Sequence, residues 1–253
     1  MVKSKKVFSR VEIASNRNIP GSELMLLSFF EPSIALSAVA GQFVEIGVPG
    51  CILPKPFSIR NTHRFGLVDV MYEVVGKGTE TLANMSEGAE ITVLGPLGNG
   101  FIHQNESDVY LVGGGTGIAP ILFLAETLDQ SSHVSLFIGA RSNRFLPELS
   151  LLPAHTKIAT DDGSEGYHGN VIDLMRERLL PQAHVFACGP KPMLKSLWNL
   201  VKNWNNEIQF SLEAYMGCGI GACLGCQIET TGGQKHICTD GPVFYAKEVI
   251  DAL

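Results

Sequence analysis

Four of the six cysteines in this 253-residue sequence lie close together near its C-terminal end. Cys218, Cys223 and Cys226 share one glycine-rich stretch, and Cys238 follows Cys226 after eleven intervening residues. This spacing is typical of plant-type [2Fe–2S] clusters, which four cysteine thiolates hold. The glycines between the ligands allow the backbone to fold tightly around a metal centre and to direct N–H groups at the sulfur atoms. The four cysteines therefore predict a [2Fe–2S] site.

Zinc and disulfide bonds are two alternative roles for these cysteines. A structural zinc site usually contains two Cys-x2-Cys pairs, and here only Cys223 and Cys226 form such a pair. Disulfide bonds need an oxidising compartment, but residues 1–8 lack the apolar core of a signal peptide. Both alternatives are disfavoured, and both stay open from the sequence alone.

The composition is that of a globular protein with room for two domains and a small additional segment. Hydrophobic residues make up 45% and charged residues 17% of the chain, and the formal net charge is −6. An acidic balance disfavours nucleic acids and anionic membranes as partners. The most apolar stretch, Ile118 to Ala125, contains Pro120 and is too short to cross a bilayer. We therefore expect a soluble cytoplasmic protein.

The first part of the chain, residues 1–102, reads as short β-strands separated by turns. Alternating apolar residues end at Pro, Gly and Asn turn signals, and helical periodicity is absent. Such a pattern favours an antiparallel β-barrel, because closure removes exposed strand edges. The predicted strands are Val7–Ile13, Glu23–Phe30, Gln42–Val48, Leu67–Val75 and Glu90–Leu94.

Two short patterns within this region have the chemistry of a ligand site. Lys55, Pro56, Phe57 and Ser58 place a cation, a rigid corner, an aromatic ring and a hydroxyl in succession, a set able to contact a phosphate and a flat ring. Taken alone, this tetrapeptide is better explained as an ordinary turn. The loop Gly76–Thr79 follows a predicted strand, and its N–H groups are suited to a pyrophosphate. Together the two patterns indicate a flavin dinucleotide.

Residues 103–212 alternate between strands and helices, which predicts an α/β domain with an open parallel sheet. Ligands of such sheets lie at the carboxyl ends of the strands. The predicted strands are Val109–Val112, Val134–Ile138, Lys157–Thr160, Val185–Cys188 and Ile208–Leu212, and the predicted helices are Ile118–Leu128, Val171–Leu180 and Met193–Trp204.

Three loops follow strands of this sheet and are candidates for nucleotide binding. The first departs from the G-x-G-x-x-G pattern, yet it precedes a helix and is suited to a phosphate. A buried, structural Cys188 is the alternative for the third loop, and Cys51 is also expected to be structural. The three loops are Gly113-Gly114-Gly115-Thr116-Gly117, Thr160–Ser164 and Cys188-Gly189-Pro190.

The order of barrel, nucleotide domain and four-cysteine segment resembles the ferredoxin–NADP reductase superfamily, and within it the electron-transfer subunits of dihydroorotate dehydrogenase B. The resemblance covers nearly the whole chain. The motifs that carry it are Gly76–Thr79, Gly95–Phe101, Gly113–Pro120, Cys188–Pro190, Met216–Cys226 and Cys238–Phe244.

This resemblance implies three redox groups and assigns residues to each. FAD is expected in the barrel, NAD in the α/β domain, and the [2Fe–2S] cluster in residues 213–253, on Cys218, Cys223, Cys226 and Cys238. The family's flavin motif usually begins with Arg, so Lys55 keeps the charge and loses the bidentate fork. The implied FAD residues are Lys55, Pro56, Phe57, Ser58, Met71, Tyr72, Glu73, Gly78 and Thr79, and the implied NAD residues are Gly114, Gly115, Thr116, Gly117, Cys188, Gly189 and Pro190.

The resemblance also implies a partner, an FMN-containing dihydroorotate dehydrogenase catalytic subunit, in a heterotetramer of two copies of each chain that serves pyrimidine biosynthesis. No residue set in this sequence suggests a dihydroorotate site, so we expect no catalytic residue here. Within redox chemistry, a subunit of a hydrogenase, a sulfide dehydrogenase or a ferredoxin-dependent transhydrogenase is the alternative. A zinc-bearing nucleotide sensor is the alternative outside it.

Overall fold

The computed structural model describes residues 6–103, 108–128, 133–153, 155–176, 183–204 and 206–253. Residues 7–97 form a closed barrel of antiparallel strands, as predicted. Its interior is filled by fully buried aliphatic and aromatic side chains, among them Phe29, Val44 and Ile59. The strands are β1 (Val7–Asn18), β2 (Leu24–Phe30), β3 (Phe43–Gly47), β4 (Lys55–Thr62), β5 (Leu67–Glu73) and β6 (Glu90–Leu97), and the short helices are α1 (Pro32–Ala35) and α2 (Lys77–Ala83).

Around the barrel the strand order is β1-β2-β5-β4-β3-β6. β4 was not predicted as a strand, and the interpretation of Lys55–Ser58 as a turn is wrong. Residues 55–58 pair only with β3, whereas residues 59–62 pair with β5. Pro56 therefore lies in the half of the strand that has one free edge, where the missing proline N–H costs no ladder hydrogen bond.

The α/β region contains a seven-stranded sheet in the order β10-β9-β8-β7-β11-β12-β15, flanked by helices. The predicted helix Val171–Leu180 is observed over Val171–Arg176, and residues 177–180 lie outside the described residues. The elements are β7 (Val109–Gly114), α3 (Ile118–Thr127), β8 (Val134–Ala140), β9 (Lys157–Thr160), β10 (Tyr167–His168), α4 (Val171–Arg176), β11 (His184–Cys188), α5 (Lys191–Val201), β12 (Ile208–Ser211) and β15 (Val243–Tyr245). No helix in the described part of the chain is long and apolar enough to span a membrane.

The sequence predicted a parallel sheet, but the observed sheet is not purely parallel. Six of its strands are parallel, but β15 pairs with β12 in the antiparallel direction. This strand belongs to the C-terminal segment, where the chain returns past the cysteines, and it places Phe244 opposite Phe210. Both phenylalanines are buried, so the pairing extends the hydrophobic core to the end of the chain.

The C-terminal segment carries the cysteines against the end of the barrel. Between Cys226 and Cys238 the chain forms a hairpin of β13 (Gln227–Thr230) and β14 (Gly233–His236), and α6 (Ile237–Asp240) and α7 (Ala246–Val249) follow. Asn99, just beyond β6, fixes the segment. Its side-chain amide donates to the carbonyls of Asp240 and Val243 at 2.9 Å each, and its side-chain oxygen accepts from the Val243 N–H at 2.9 Å.

Candidate functional site

A cavity of about 410 Å³ opens on one side of the barrel and contains most of the residues predicted for FAD. Phe57 and Tyr72 meet edge to face, with ring centroids 5.5 Å apart. The cavity combines aromatic and apolar surface with a lysine and several hydroxyl groups, the surface that an aromatic ring system with a phosphate tail needs. The predicted residues that line it are Lys55, Pro56, Phe57, Ser58, Met71, Tyr72, Glu73 and Thr79.

Gly78 does not line this cavity, but it supports Lys55. A Cβ atom on Gly78 would lie only 2.7 Å from Lys55 Cε. The lysine side chain therefore passes over the loop at Gly78, where the absence of a side chain leaves room for it. Thr79 fixes the same loop, because its hydroxyl accepts the N–H groups of Val75 at 2.9 Å and Gly76 at 3.2 Å. A cation over a closely packed glycine loop is suited to a pyrophosphate, so the residues present fit FAD.

A second cavity, of about 460 Å³, lies at the carboxyl ends of the strands of the α/β sheet. Three of the predicted NAD residues from the β7 loop, Gly114, Gly115 and Thr116, line it, together with Pro190. The position agrees with the general rule for ligands of parallel sheets. The cavity is also lined by residues that follow β8 and β9, including Arg141 and Asp161.

The other predicted NAD residues, Gly117, Cys188 and Gly189, are not among the cavity-lining residues, and they pack against one another. A Cβ atom on Gly117 would lie 2.5 Å from the Cys188 carbonyl carbon and 2.6 Å from the Gly189 nitrogen. The absence of a side chain allows the start of α3 to lie directly on the turn that follows β11. Burial raises the pKa of the Cys188 thiol, with Glu213 adding to the effect. These properties support the structural interpretation of Cys188.

The two cavities adjoin each other, because four residues line both of them: Glu73, Val75, Thr116 and Glu213. Burial raises the pKa of Glu213, and the hydroxyl of Thr116, which donates to Glu213 Oε1 at 3.4 Å, opposes this increase. Ligands bound in the two cavities would therefore lie next to each other. Glu213 is not among the residues predicted from the sequence, although its position directly after the predicted strand Ile208–Leu212 was a usable signal.

The four cysteines stand as two pairs. Cys226 Sγ lies 3.2 Å from Cys238 Sγ, and the thiols of Cys218 and Cys223 also interact. Within the described residues, no three His, Cys, Asp or Glu side chains are gathered to hold a single metal ion. Two thiol pairs fit a cluster in which each of two irons takes two thiolates. The donor set thus fits [2Fe–2S].

Electrostatics differ between the two pairs. Burial acts to raise the pKa of Cys218, but N–H groups of Ile220, Cys223 and Ala222 outweigh it, and the pKa falls to about 6. The amides of Ala222 and Cys223 each donate to Cys218 Sγ at 3.3 Å. Burial and the neighbouring Cys226 raise the pKa of Cys238 to about 12. A bound metal supplies the positive charge that lets such a buried pair ionise.

A buried carboxyl, Glu45, lies between the cysteine loop and the barrel cavity, and the sequence analysis missed it. The residue is 1% exposed, and neither carboxyl oxygen has a hydrogen-bond partner. Burial raises the pKa of Glu45 to about 7, Cys218 adds to the increase, and Lys55 opposes it. The pKa of Glu45 therefore depends on the charge of Cys218, in the cysteine site, and on that of Lys55, in the barrel cavity.

Comparison with known families gives two matches. The iron–sulfur cluster binding domain of dihydroorotate dehydrogenase B matches residues 213–250, which contain all four cysteines of the predicted site. The oxidoreductase NAD-binding domain matches residues 111–198, which contain the loops of the second cavity. The matches therefore coincide with two of the three sites built from the geometry above.

Individual relatives cover most of the chain. The dihydroorotate dehydrogenase B (NAD(+)) electron transfer subunit of Caldanaerobacter subterraneus subsp. tengcongensis is 39% identical, over 83% of this chain and 86% of the relative. The subunit of the same name from Desulforamulus reducens is 35% identical, over 97% of this chain and 98% of the relative. A chain of the NADH-dependent reduced ferredoxin-NADP oxidoreductase structure superimposes with a TM-score of 0.85 at 30% identity, over 94% of this chain and 88% of that chain.

Proposed function

The chain belongs to the family of dihydroorotate dehydrogenase B electron transfer subunits, and from this premise we propose that it passes electrons from a dihydroorotate-oxidising subunit to NAD+. Its redox groups are FAD, which the lining of the barrel cavity fits, and a [2Fe–2S] cluster, with NAD as substrate. The observation that carries the proposal is the contact between the three sites. The barrel and nucleotide cavities share one wall, and Ala214, Met216 and Pro242 of the cysteine segment line the barrel cavity.

Each part of the chain contributes binding and orientation. When bound, FAD converts between the single electrons of the cluster and the hydride that NAD+ takes up. Phe57 and Tyr72 provide the aromatic surface of the barrel cavity, and Lys55 supplies a cation for the pyrophosphate. Thr116 and Glu213 line both cavities, at the place where the nicotinamide and the flavin would have to come into direct contact for hydride transfer. We assign these tasks to residues 1–102 for FAD, 103–212 for NAD and 213–253 for the cluster.

We further propose that the partner is an FMN-containing catalytic subunit and that two copies of each chain assemble in the cytoplasm. The surface around the cysteine loop supports a partner at this position. Ile52 is 100% exposed, Leu53 51%, Ile220 48% and Leu224 55%, and Cys223 is itself exposed. Exposed apolar side chains grouped in this way mark a protein interaction site. The mass of the purified complex tests the assembly of two copies of each chain.

The function is tested by comparing the chain alone with the complete complex. Alone, the loaded chain is expected to oxidise NADH with artificial dyes and to leave dihydroorotate untouched. Addition of the catalytic subunit is expected to couple dihydroorotate oxidation to NAD+ reduction. Dihydroorotate turnover by the chain alone, or NAD+ reduction in the complex that does not depend on this chain, would contradict the proposal.

The role of Lys55 gives a separate prediction. Lys55→Ala is expected to weaken FAD binding about tenfold, because a charge-assisted contact to the pyrophosphate is lost. Lys55→Arg is expected to keep or tighten binding, since the guanidinium retains the charge and adds a fork. Flavin retention on serial dilution measures both effects. Lys235→Ala, which removes a lysine that does not line the cavity, is the control. Equal retention by Lys55→Ala and the parent would refute this role.

A further inference from the structure

Arg141 is the basic residue of the nucleotide cavity. Of the described residues that line this cavity, it alone is basic, and the other charged ones are Glu73, Asp161 and Glu213. A nicotinamide dinucleotide brings a doubly charged pyrophosphate into these surroundings. Backbone N–H groups of the β7 loop supply part of the compensation. Among the described residues that line the cavity, Arg141 is the side chain that can supply the remaining positive charge.

The guanidinium of Arg141 is held in a fixed orientation. Its Nη2 atom lies 2.7 Å from Glu73 Oε1, and its central carbon lies 4.0 Å above the Phe145 ring. Stacking fixes the plane of the group, and the ion pair fixes its rotation in that plane. An arginine has five N–H donors, so a single contact with Glu73 leaves donors for a second anion. The side chain is 64% exposed and open to a ligand.

We propose that Arg141 binds the pyrophosphate of the nicotinamide dinucleotide and that Glu73 is the positioning residue that orients it. This inference rests on the proposed function, in which NAD occupies this cavity. Glu73 lines both cavities, so Arg141 stands at the end nearest the flavin site. The pyrophosphate is linked to the nicotinamide that must reach the flavin, whereas the 2′-position belongs to the adenosine half. The location therefore selects the pyrophosphate over a 2′-phosphate.

A neighbouring arginine provides a matched control. Arg144 lies on the same segment, its side chain is 68% exposed, and it pairs with Glu23 of the barrel. Arg144 and Arg141 therefore each form an ion pair between the α/β region and the barrel. It does not line the nucleotide cavity. If these ion pairs are purely structural, replacing either arginine should change the nucleotide affinity to a similar extent. If Arg141 binds the nucleotide, only its replacement should lower the affinity.

The experiment measures the affinity of the FAD- and cluster-loaded chain for NAD+ and NADP+ by titration calorimetry. Arg141→Gln is expected to raise both dissociation constants about tenfold or more, because a charge-assisted contact is lost. Arg141→Lys is expected to fall between Arg141→Gln and the parent, since it keeps the charge without the fork. Arg144→Gln is expected to bind like the parent. Glu73→Gln is expected to weaken the binding of NAD+ and NADP+ when Arg141 is present. Combined with Arg141→Gln it is expected to have no further effect, because a positioning residue acts only through the arginine that it orients.

The outcomes separate the possibilities. Unchanged affinity in Arg141→Gln and Arg141→Lys, or equal losses in Arg141→Gln and Arg144→Gln, would overturn the assignment. A loss confined to NADP+ would place Arg141 at a 2′-phosphate and overturn the pyrophosphate assignment. Failure of the parent chain to bind NAD+ would overturn the proposed function together with this inference. Flavin content and thermal unfolding of each variant identify any variant that fails to fold, and Arg141→Lys then carries the test.

Discussion

Cys226→Ser is expected to remove the [2Fe–2S] cluster and to abolish electron transfer from the partner subunit, while oxidation of NADH by dyes continues. Cys226 is buried against Cys238, and a hard serine oxygen is a poor substitute for a soft thiolate. The barrel and nucleotide cavities are built mainly from other parts of the chain. Loss of the cluster should therefore stop electron transfer from the partner subunit without stopping hydride exchange between NADH and FAD.

Three measurements on the same preparation test this expectation: iron and sulfide content, NADH oxidation by a dye, and dihydroorotate-dependent NAD+ reduction in the complex. Cys51→Ser is the control, because Cys51 is a free, half-buried cysteine outside the four-cysteine set. It is expected to keep iron and coupled activity. Full coupling in a Cys226→Ser complex that contains no iron would show that electrons take another path.

The sequence predicted the fold where a local pattern was sufficient. Strands with alternating apolar residues, such as Leu67–Glu73, were found because their inward side chains are buried in the barrel. β4 was not predicted because Lys55, Ser58, Arg60 and Asn61 make its sequence polar. The half of β4 that faces the cavity also pairs with only one neighbouring strand, β3. β15 escaped for a different reason. Three residues are too few for a periodic pattern, and their pairing with β12 is decided by tertiary contacts.

The candidate site divides in a similar way. The four cysteines were predicted from spacing, because three ligands of a cluster come from one loop. Their arrangement in two pairs is visible only in three dimensions. Glu45 and Arg141 were not predicted because single charged residues have no motif, and the position of Glu213 after a predicted strand was a signal that was not used. Each acquires its importance from a neighbour distant in sequence, as Arg141 does from Glu73.

The close contact between the β7 loop and the β11 turn leads to the other large expected effect. Gly117→Ala is expected to lower the free energy of unfolding by about 3 kcal/mol, the upper end for overpacking, because the new methyl group meets backbone atoms that cannot rotate away. The added Cβ would lie within 2.6 Å of three backbone atoms of Cys188 and Gly189. Relief requires α3 to move away from β11, which displaces Gly114–Thr116 from the nucleotide cavity. NAD+ affinity should therefore fall together with stability.

Urea unfolding and NAD+ titration of the same variant test the link. Gly232→Ala is the matched control, since its nearest neighbour, Thr230 Oγ1, would be 3.8 Å from the new carbon. Such a substitution outside the core is expected to change the unfolding free energy by about 0.5 kcal/mol or less. If Gly117→Ala matched Gly232→Ala in stability, the contact between α3 and the β11 turn would be looser than described. If it lost stability but kept full NAD+ affinity, the β7 loop would not be part of the nucleotide site, because displacement of that loop is what joins the two effects.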